Sequence, residues 1–62
     1  MSETLKQLIS SMDENGLKEL YHFCDMQIFE HHINNNEEYE KRYKEIWLFI
    51  GKTLRNKGIW NY

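Results

Sequence analysis

Five side chains in the middle of the sequence have types that can bind metal ions or act in catalysis: His22, Cys24, Asp25, His31 and His32. Cysteine and histidine are common zinc ligands, but the ligands of one site must all reach a single ion. On a helix, Cys24 and His31 share a face yet lie about 10 Å apart along the axis. A metal site would therefore have to be built between two copies of the chain, and we interpret the histidines as structural or surface residues.

The same segment offers little for catalysis. Asp25 follows His22 by three residues, a spacing at which a carboxylate can orient an imidazole on a helix, and Cys24 is a possible nucleophile. However, Cys24 falls on a predicted core stripe, where a free cysteine is usually an unreactive small hydrophobe. The sequence has no glycine-rich phosphate loop and no nucleophile elbow. We therefore predict that the protein is not an enzyme and uses no metal or other cofactor.

Three helices are predicted to position these side chains, which makes the fold all-α. The first covers residues 4–12, with Ser2 as a plausible N-cap. Its apolar residues follow a spacing of i, i+3, i+4 and i+7, which predicts one core-facing stripe. The stripe comprises Leu5, Leu8, Ile9 and Met12. A helix of three turns is unstable alone in water, so it must pack on the others.

The second predicted helix covers residues 14–33. Asp13 is a plausible N-cap, and Met12 and Leu17 have the spacing of a hydrophobic staple. The helix is predicted to end at residues 34–36, three asparagines whose side chains compete for backbone hydrogen bonds and tolerate left-handed conformations. Its predicted core stripe comprises Leu17, Leu20, Tyr21, Cys24, Ile28 and His31.

The third predicted helix covers residues 37–57, with Asn36 as the expected N-cap and acids in its first turn. Gly58 suits the position after the helix, where Ile59 can fold back in a Schellman motif. Residues 58–62 then form an aromatic tail. The predicted fold is a small three-helix bundle, a helical hairpin with a short N-terminal helix. The predicted core stripe of the third helix comprises Tyr39, Tyr43, Ile46, Trp47, Ile50 and Leu54.

Size and composition predict one domain, residues 1–62, that is marginal without a partner. A chain of 62 residues buries only about 60% of the surface that its unfolded form exposes. Its one cysteine cannot form an intrachain disulfide, and a free thiol suits the reducing cytoplasm. We expect no signal peptide and no membrane segment, because the longest strictly apolar run covers only residues 46–50.

Charge is sorted along the chain. Residues 1–40 carry nine acids and two bases, whereas residues 41–62 carry six bases and one acid. The two parts therefore have net charges of −7 and +5, within a total of −2. Acids favour helix starts and bases favour helix ends, which accounts for part of this sorting. The rest of the sorting makes the molecule dipolar, and a dipolar molecule can attract a charged partner or a second copy of itself.

More apolar side chains are present than three short helices need for one core. Met26, Phe29 and Ile33 lie opposite the core stripe of the second helix, and we predict that they mediate self-association. An antiparallel homodimer would complete the bundle and set acidic parts against basic parts. The alternative is that the second helix is sandwiched between the other two and the tail covers the rest. Burying a large apolar side chain contributes roughly 1.5–3 kcal/mol, which favours association.

A second surface is predicted on the third helix. Lys41, Lys44, Lys52 and Arg55 form a basic stripe with Leu48 in its middle. The stripe can clamp an acidic protein or follow phosphates, although a solvated helix face looks the same. The predicted partner-binding residues are Leu48, Phe49, Lys52, Arg55 and Trp60. Trp60 and Tyr62 either dock on the core or anchor a partner, since aromatic residues are frequent in binding hot spots.

These features predict a non-catalytic protein-binding regulator or inhibitor that occludes or bridges a protein target. In size and composition the chain is similar to short helical-hairpin regulators of Gram-positive bacteria and their phages. The alternative function is a nucleic-acid-binding regulator that uses the basic stripe. Overall acidity and the lack of zinc-finger spacing argue against that alternative. A third possibility is a structural subunit of a larger assembly.

Overall fold

The computed structural model describes residues 1–60, and the tail residues 61–62 of the predicted aromatic segment lie outside the described part. Three helices follow one another: α1 is Glu3–Ser10, α2 is Glu14–Ile33 and α3 is Glu37–Asn56. The described residues contain no strand. The prediction of an all-α fold with three helices is therefore confirmed, with α2 and α3 within a residue of their predicted bounds.

The end of α1 differs from the prediction, because the helix stops at Ser10 rather than at residue 12. The Ser11 hydroxyl donates to the Leu8 carbonyl at 2.9 Å, and the Met12 amide donates to the Ile9 carbonyl at 3.1 Å. These bonds span three residues and tighten the last turn. The chain can then reach Asp13, which begins the next helix.

Two of the three predicted N-caps are confirmed. The Ser2 hydroxyl accepts from the Leu5 amide at 3.2 Å, and the Asp13 carboxylate accepts from the Gly16 amide at 2.7 Å. Asn36 occupies the N-cap position of α3 but makes no side-chain cap bond. Its amide nitrogen lies 3.4 Å from Nδ1 of His31 instead.

The connection between α2 and α3 is a Schellman motif built on asparagine. Asn35 has a positive φ of 59°, which is the left-handed conformation. The Asn36 amide donates to the His31 carbonyl at 2.9 Å, and the Asn35 amide donates to the His32 carbonyl at 3.3 Å. This pair of bonds satisfies carbonyl groups at the end of α2 and turns the chain sharply into α3.

The end of α3 is a second Schellman motif, as the sequence predicts. Gly58 has a φ of 75° and its amide donates to the Arg55 carbonyl at 3.0 Å. The Ile59 amide donates to the Leu54 carbonyl at 3.0 Å. The Nζ atom of Lys57 donates to the Met12 carbonyl at 3.2 Å. The end of α3 is thereby tied to the turn between α1 and α2.

The core lies where the three helices meet. Its fully buried side chains are Ile9, Leu17, Cys24, Ile50 and Leu54. The long helices α2 and α3 form the main contact, and α1 packs chiefly on α3. The alternative in which α2 is sandwiched between α1 and α3 is therefore wrong. Because α1 lies on α3, no helix among residues 1–60 covers the side of α2 that faces away from α3.

No helix among residues 1–60 is both long and apolar enough to cross a membrane.

Candidate interaction surfaces

The first candidate surface is formed by Met26, Phe29 and Ile33, and we call it the α2 outer face. These side chains are 55%, 67% and 60% exposed. Two residues along a helix correspond to a rotation of about 200°, so Met26 points away from buried Cys24. The sequence predicted this apolar set opposite the core, and the structure places all three residues on an uncovered surface.

The second candidate surface lies on α3, and we call it the α3 outer face. Leu48 is 63% exposed at its centre and points away from buried Ile50. Lys41, Lys52 and Arg55 surround it and are exposed. Within residues 1–60 these three bases form no ion pair. The surface therefore combines a large apolar side chain with three positive charges that form no ion pair within residues 1–60.

Lys44 also belongs to the predicted basic stripe, but it is engaged with its own helix. Its Nζ atom lies 3.1 Å from the Glu40 carboxylate. Nδ1 of His32 lies 3.2 Å from the other oxygen of Glu40. The hydrogen bond from Lys44, together with that from His32, lowers the pKa of the Glu40 carboxyl. Lys44 thus helps to hold the α2–α3 turn, and its charge is less available to a partner.

Two predicted partner-binding residues are placed differently from the other three. Phe49 is half-buried and packs against the core. Trp60 is also half-buried, and its ring meets the Tyr21 ring edge-on with centroids 4.5 Å apart. Both rings thus pack within the bundle, and Trp60 follows the alternative in which it docks on the protein's own core. The structure brings Leu48, Lys52 and Arg55 together on one surface and sets Phe49 and Trp60 into the protein's own packing.

The histidines at the end of α2 pack around the hairpin turn. The His31 ring stacks on the Tyr39 and Tyr43 rings, with centroids 5.4 Å and 5.5 Å apart. The sequence placed His31 on the core stripe, which agrees with its half-buried position. Its stacking on two tyrosines was not anticipated. The i, i+4 spacing of Tyr39 and Tyr43 is the signal that could have indicated it.

Cys24 is buried in the core, and burial raises the pKa of its thiol. A thiol with a raised pKa is a poor nucleophile at neutral pH because little of it is deprotonated. His22 and Asp25 lie on the exposed surface of α2. Over residues 1–60, no three histidine, cysteine or acidic side chains are grouped closely enough to hold a metal ion.

On α1, Leu8 departs from the predicted core stripe. The sequence placed it on the core stripe, but the structure leaves it 60% exposed, whereas Ile9 is fully buried. Because α1 packs chiefly on α3, only one edge of its apolar stripe is covered. Leu8 therefore adds an isolated apolar group to the surface, which is common in folded proteins.

No protein-family model, curated protein or solved structure matches this chain. The two outer faces and their charges are therefore the basis for a functional proposal.

Proposed function

We propose that this protein is a non-catalytic, protein-binding regulator or inhibitor of bacterial or phage type, working in the cytoplasm. It occludes or bridges its target, which binds at the α3 outer face through Leu48, Lys52 and Arg55. The α2 outer face mediates self-association. The observation that carries the proposal is the exposure of large apolar side chains at the centre of both outer faces.

The chemistry of the α3 outer face supports a protein target with an acidic surface. Interfaces typically have an apolar centre and a polar rim, and Leu48 with its surrounding bases has this arrangement. Arginine is among the residues that most often contribute strongly to binding, which favours a role for Arg55. Opposite charge on the target would accelerate encounter and exclude basic partners.

Self-association is proposed because Met26, Phe29 and Ile33 are adjacent along one side of α2 and together expose a continuous apolar surface. Such a surface in contact with water usually marks an interaction site. Sedimentation equilibrium at micromolar concentration measures the association directly. We expect an average mass near that of a dimer. A mass of 7.7 kDa, that of one chain, would contradict self-association.

The experiment on target binding compares the wild-type chain with the Leu48→Asp variant as baits in an extract of the cells that encode the protein. Leu8→Asp is the matched control, since Leu8 and Leu48 are 60% and 63% exposed on different helices. We expect one or more proteins to bind the wild type and the control but not Leu48→Asp. Mass spectrometry identifies and quantifies the bound proteins.

Equal recovery of every protein by all three baits would contradict target binding at the α3 outer face. Recovery of DNA or RNA that declines steeply with added salt would instead favour the alternative, a nucleic-acid-binding regulator. The bound fraction should therefore be analysed for nucleic acid as well as for protein.

A further inference from the structure

The α2 outer face carries a regular row of acidic and apolar side chains. Met26 follows Glu19 by seven residues, and Glu30 follows Met26 by four. These intervals are close to two turns and one turn, so the three side chains lie in line along α2. All three are exposed, and neither acid forms an ion pair within residues 1–60. We call this set the acidic row.

The α3 outer face carries a row of the same spacing and opposite charge. Leu48 follows Lys41 by seven residues, and Lys52 follows Leu48 by four. All three side chains are exposed, and the two bases also lack an ion pair in the described structure. We call this set the basic row. Both rows extend about 16 Å between their charged ends, since a helix rises about 1.5 Å per residue.

We propose that the acidic row of one copy packs along the basic row of a second copy, with the two helices parallel. This inference rests on the self-association proposed above and identifies the surface that covers the α2 outer face. Parallel alignment sets Met26 against Leu48 and places each acid opposite a base. Antiparallel alignment would not match, because the apolar residue is nearer to one end of each row.

Charge argues against the symmetric alternatives. In a twofold contact between two α2 outer faces, each acidic row would meet another acidic row. A twofold contact between two α3 outer faces would likewise set basic rows together. Like charges held close together are destabilising, and the charged groups of the two rows form no ion pairs within residues 1–60. The contact between unlike rows removes both problems and also covers apolar surface on both copies.

The positions of the two rows make this contact heterologous. Met26 points away from Cys24 and Leu48 points away from Ile50, while Cys24 and Ile50 share the core. The two rows therefore face opposite sides of the molecule. After two copies join, one acidic row and one basic row remain uncovered at the ends of the pair. A dimer forms first, and further copies add to it as concentration rises.

Charge reversal tests the inference with the full chain and with a second copy as the only partner. Glu30→Lys puts a base in the acidic row, and Lys52→Glu puts an acid in the basic row. We expect each variant alone to associate about ten-fold more weakly than the wild type in sedimentation equilibrium at low salt. An equimolar mixture of the two should associate as the wild type does, because each row then meets a row of opposite charge.

Lys6→Glu on α1 is the control, since Lys6 lies outside both rows, and it should leave the association unchanged. Circular dichroism of each variant checks that its helix content is retained. Wild-type association by Lys52→Glu, or failure of the mixture to recover, would overturn the inference. Stronger association by Glu30→Lys alone would also overturn it, and would favour a twofold contact between α2 outer faces.

These outcomes are separable from the failure of the proposed function. A protein that associates but does not respond to Lys52→Glu loses only the pairing of the two rows. A wild-type chain that remains monomeric removes self-association and the pairing together. Target binding is decided in the bait experiment by recovery of a protein other than this chain, for which the uncovered basic row at one end of the pair remains available.

Discussion

At the scale of single residues, Trp47 is held by stacking rather than by a hydrogen bond. Its ring lies 5.0 Å from the Tyr21 ring with an interplanar angle of 24°. Its indole nitrogen is buried and has no hydrogen-bond partner among residues 1–60. A buried N–H without an acceptor costs about 1–3 kcal/mol. The aromatic ring therefore contributes to stability while its polar atom detracts from it.

We predict that Trp47→Phe changes the free energy of unfolding by less than about 1 kcal/mol, because the smaller ring loses area but removes the unpaired N–H. Trp47→Ala should cost about 3 kcal/mol, since it leaves a cavity beside Tyr21. Chemical denaturation followed by circular dichroism measures both, at one protein concentration because association contributes to apparent stability. A loss well above 1 kcal/mol in Trp47→Phe would contradict an unpaired indole nitrogen.

The core stripes indicated Trp47, Cys24, Ile50 and Leu54 from their spacing alone, and the structure buries or half-buries each of them. The partners of the aromatic rings could not be predicted in the same way. Which ring meets Tyr21 depends on how far α2 is shifted along α3, and hydrophobic periodicity does not fix that shift. The docking of Trp60 on Tyr21 was therefore left open by the sequence.

At the scale of elements, the two long helices are ended by the same device with different residues. Gly58 and Asn35 both adopt positive φ, at 75° and 59°. Glycine takes this conformation without steric cost, whereas asparagine is only more tolerant of it than most residues. The α2–α3 turn thus retains a small strain that the end of α3 avoids.

We predict that Asn35→Gly raises the free energy of unfolding by about 0.5 kcal/mol, because glycine relieves the left-handed strain. Asn35→Ala should lower it by about 1 kcal/mol, since alanine keeps the Cβ that crowds the backbone but lacks the short polar side chain that makes asparagine tolerant of this conformation. Thermal denaturation of the two variants beside the wild type provides the measurement. A loss of stability with glycine as large as that with alanine would indicate that the Asn35 side chain makes a needed contact.

The helix ends were the most predictable features, because their hydrogen bonds join residues that are close together in the sequence. Asp13, Ser2 and Gly58 act through bonds to residues three or four positions away, so the sequence contains all the partners. Asn36 makes no capping bond, and its side-chain nitrogen instead lies 3.4 Å from Nδ1 of His31, five residues away. At the end of α1 the Ser11 hydroxyl donates to the Leu8 carbonyl, the acceptor that a continuing helix would use for the Met12 amide.

At the scale of the whole molecule, the uneven distribution of apolar groups follows from where α1 lies. By packing chiefly on α3, the short helix leaves the far side of α2 open. The sequence predicted the excess of apolar side chains, but it gave no basis for choosing between α2 and α3 as the support for α1. Tertiary packing determines which of the two helices supports α1. The support in turn determines which apolar residues stay exposed.

We predict that Phe29→Glu dissociates the protein into monomers while leaving its helices intact. Phe29 is 67% exposed, so its replacement removes little from the core, but it takes the most exposed apolar side chain of the α2 outer face out of the proposed contact. Sedimentation equilibrium should give a mass of 7.7 kDa. The control is Leu8→Glu, whose wild-type side chain is 60% exposed, and its association should be unchanged. An unaltered mass for Phe29→Glu would rule out the α2 outer face as the site of self-association.

The burial of Cys24 has a practical consequence. The chain contains one cysteine, which is 1% exposed at the centre of the bundle, so a thiol-reactive dye reaches it only when the helices separate. The labelling rate under native conditions then reports how often the molecule opens. Cys24 can therefore report the separation of the helices without an engineered probe. Slower labelling at higher protein concentration would show that association with other copies makes the helices separate less often.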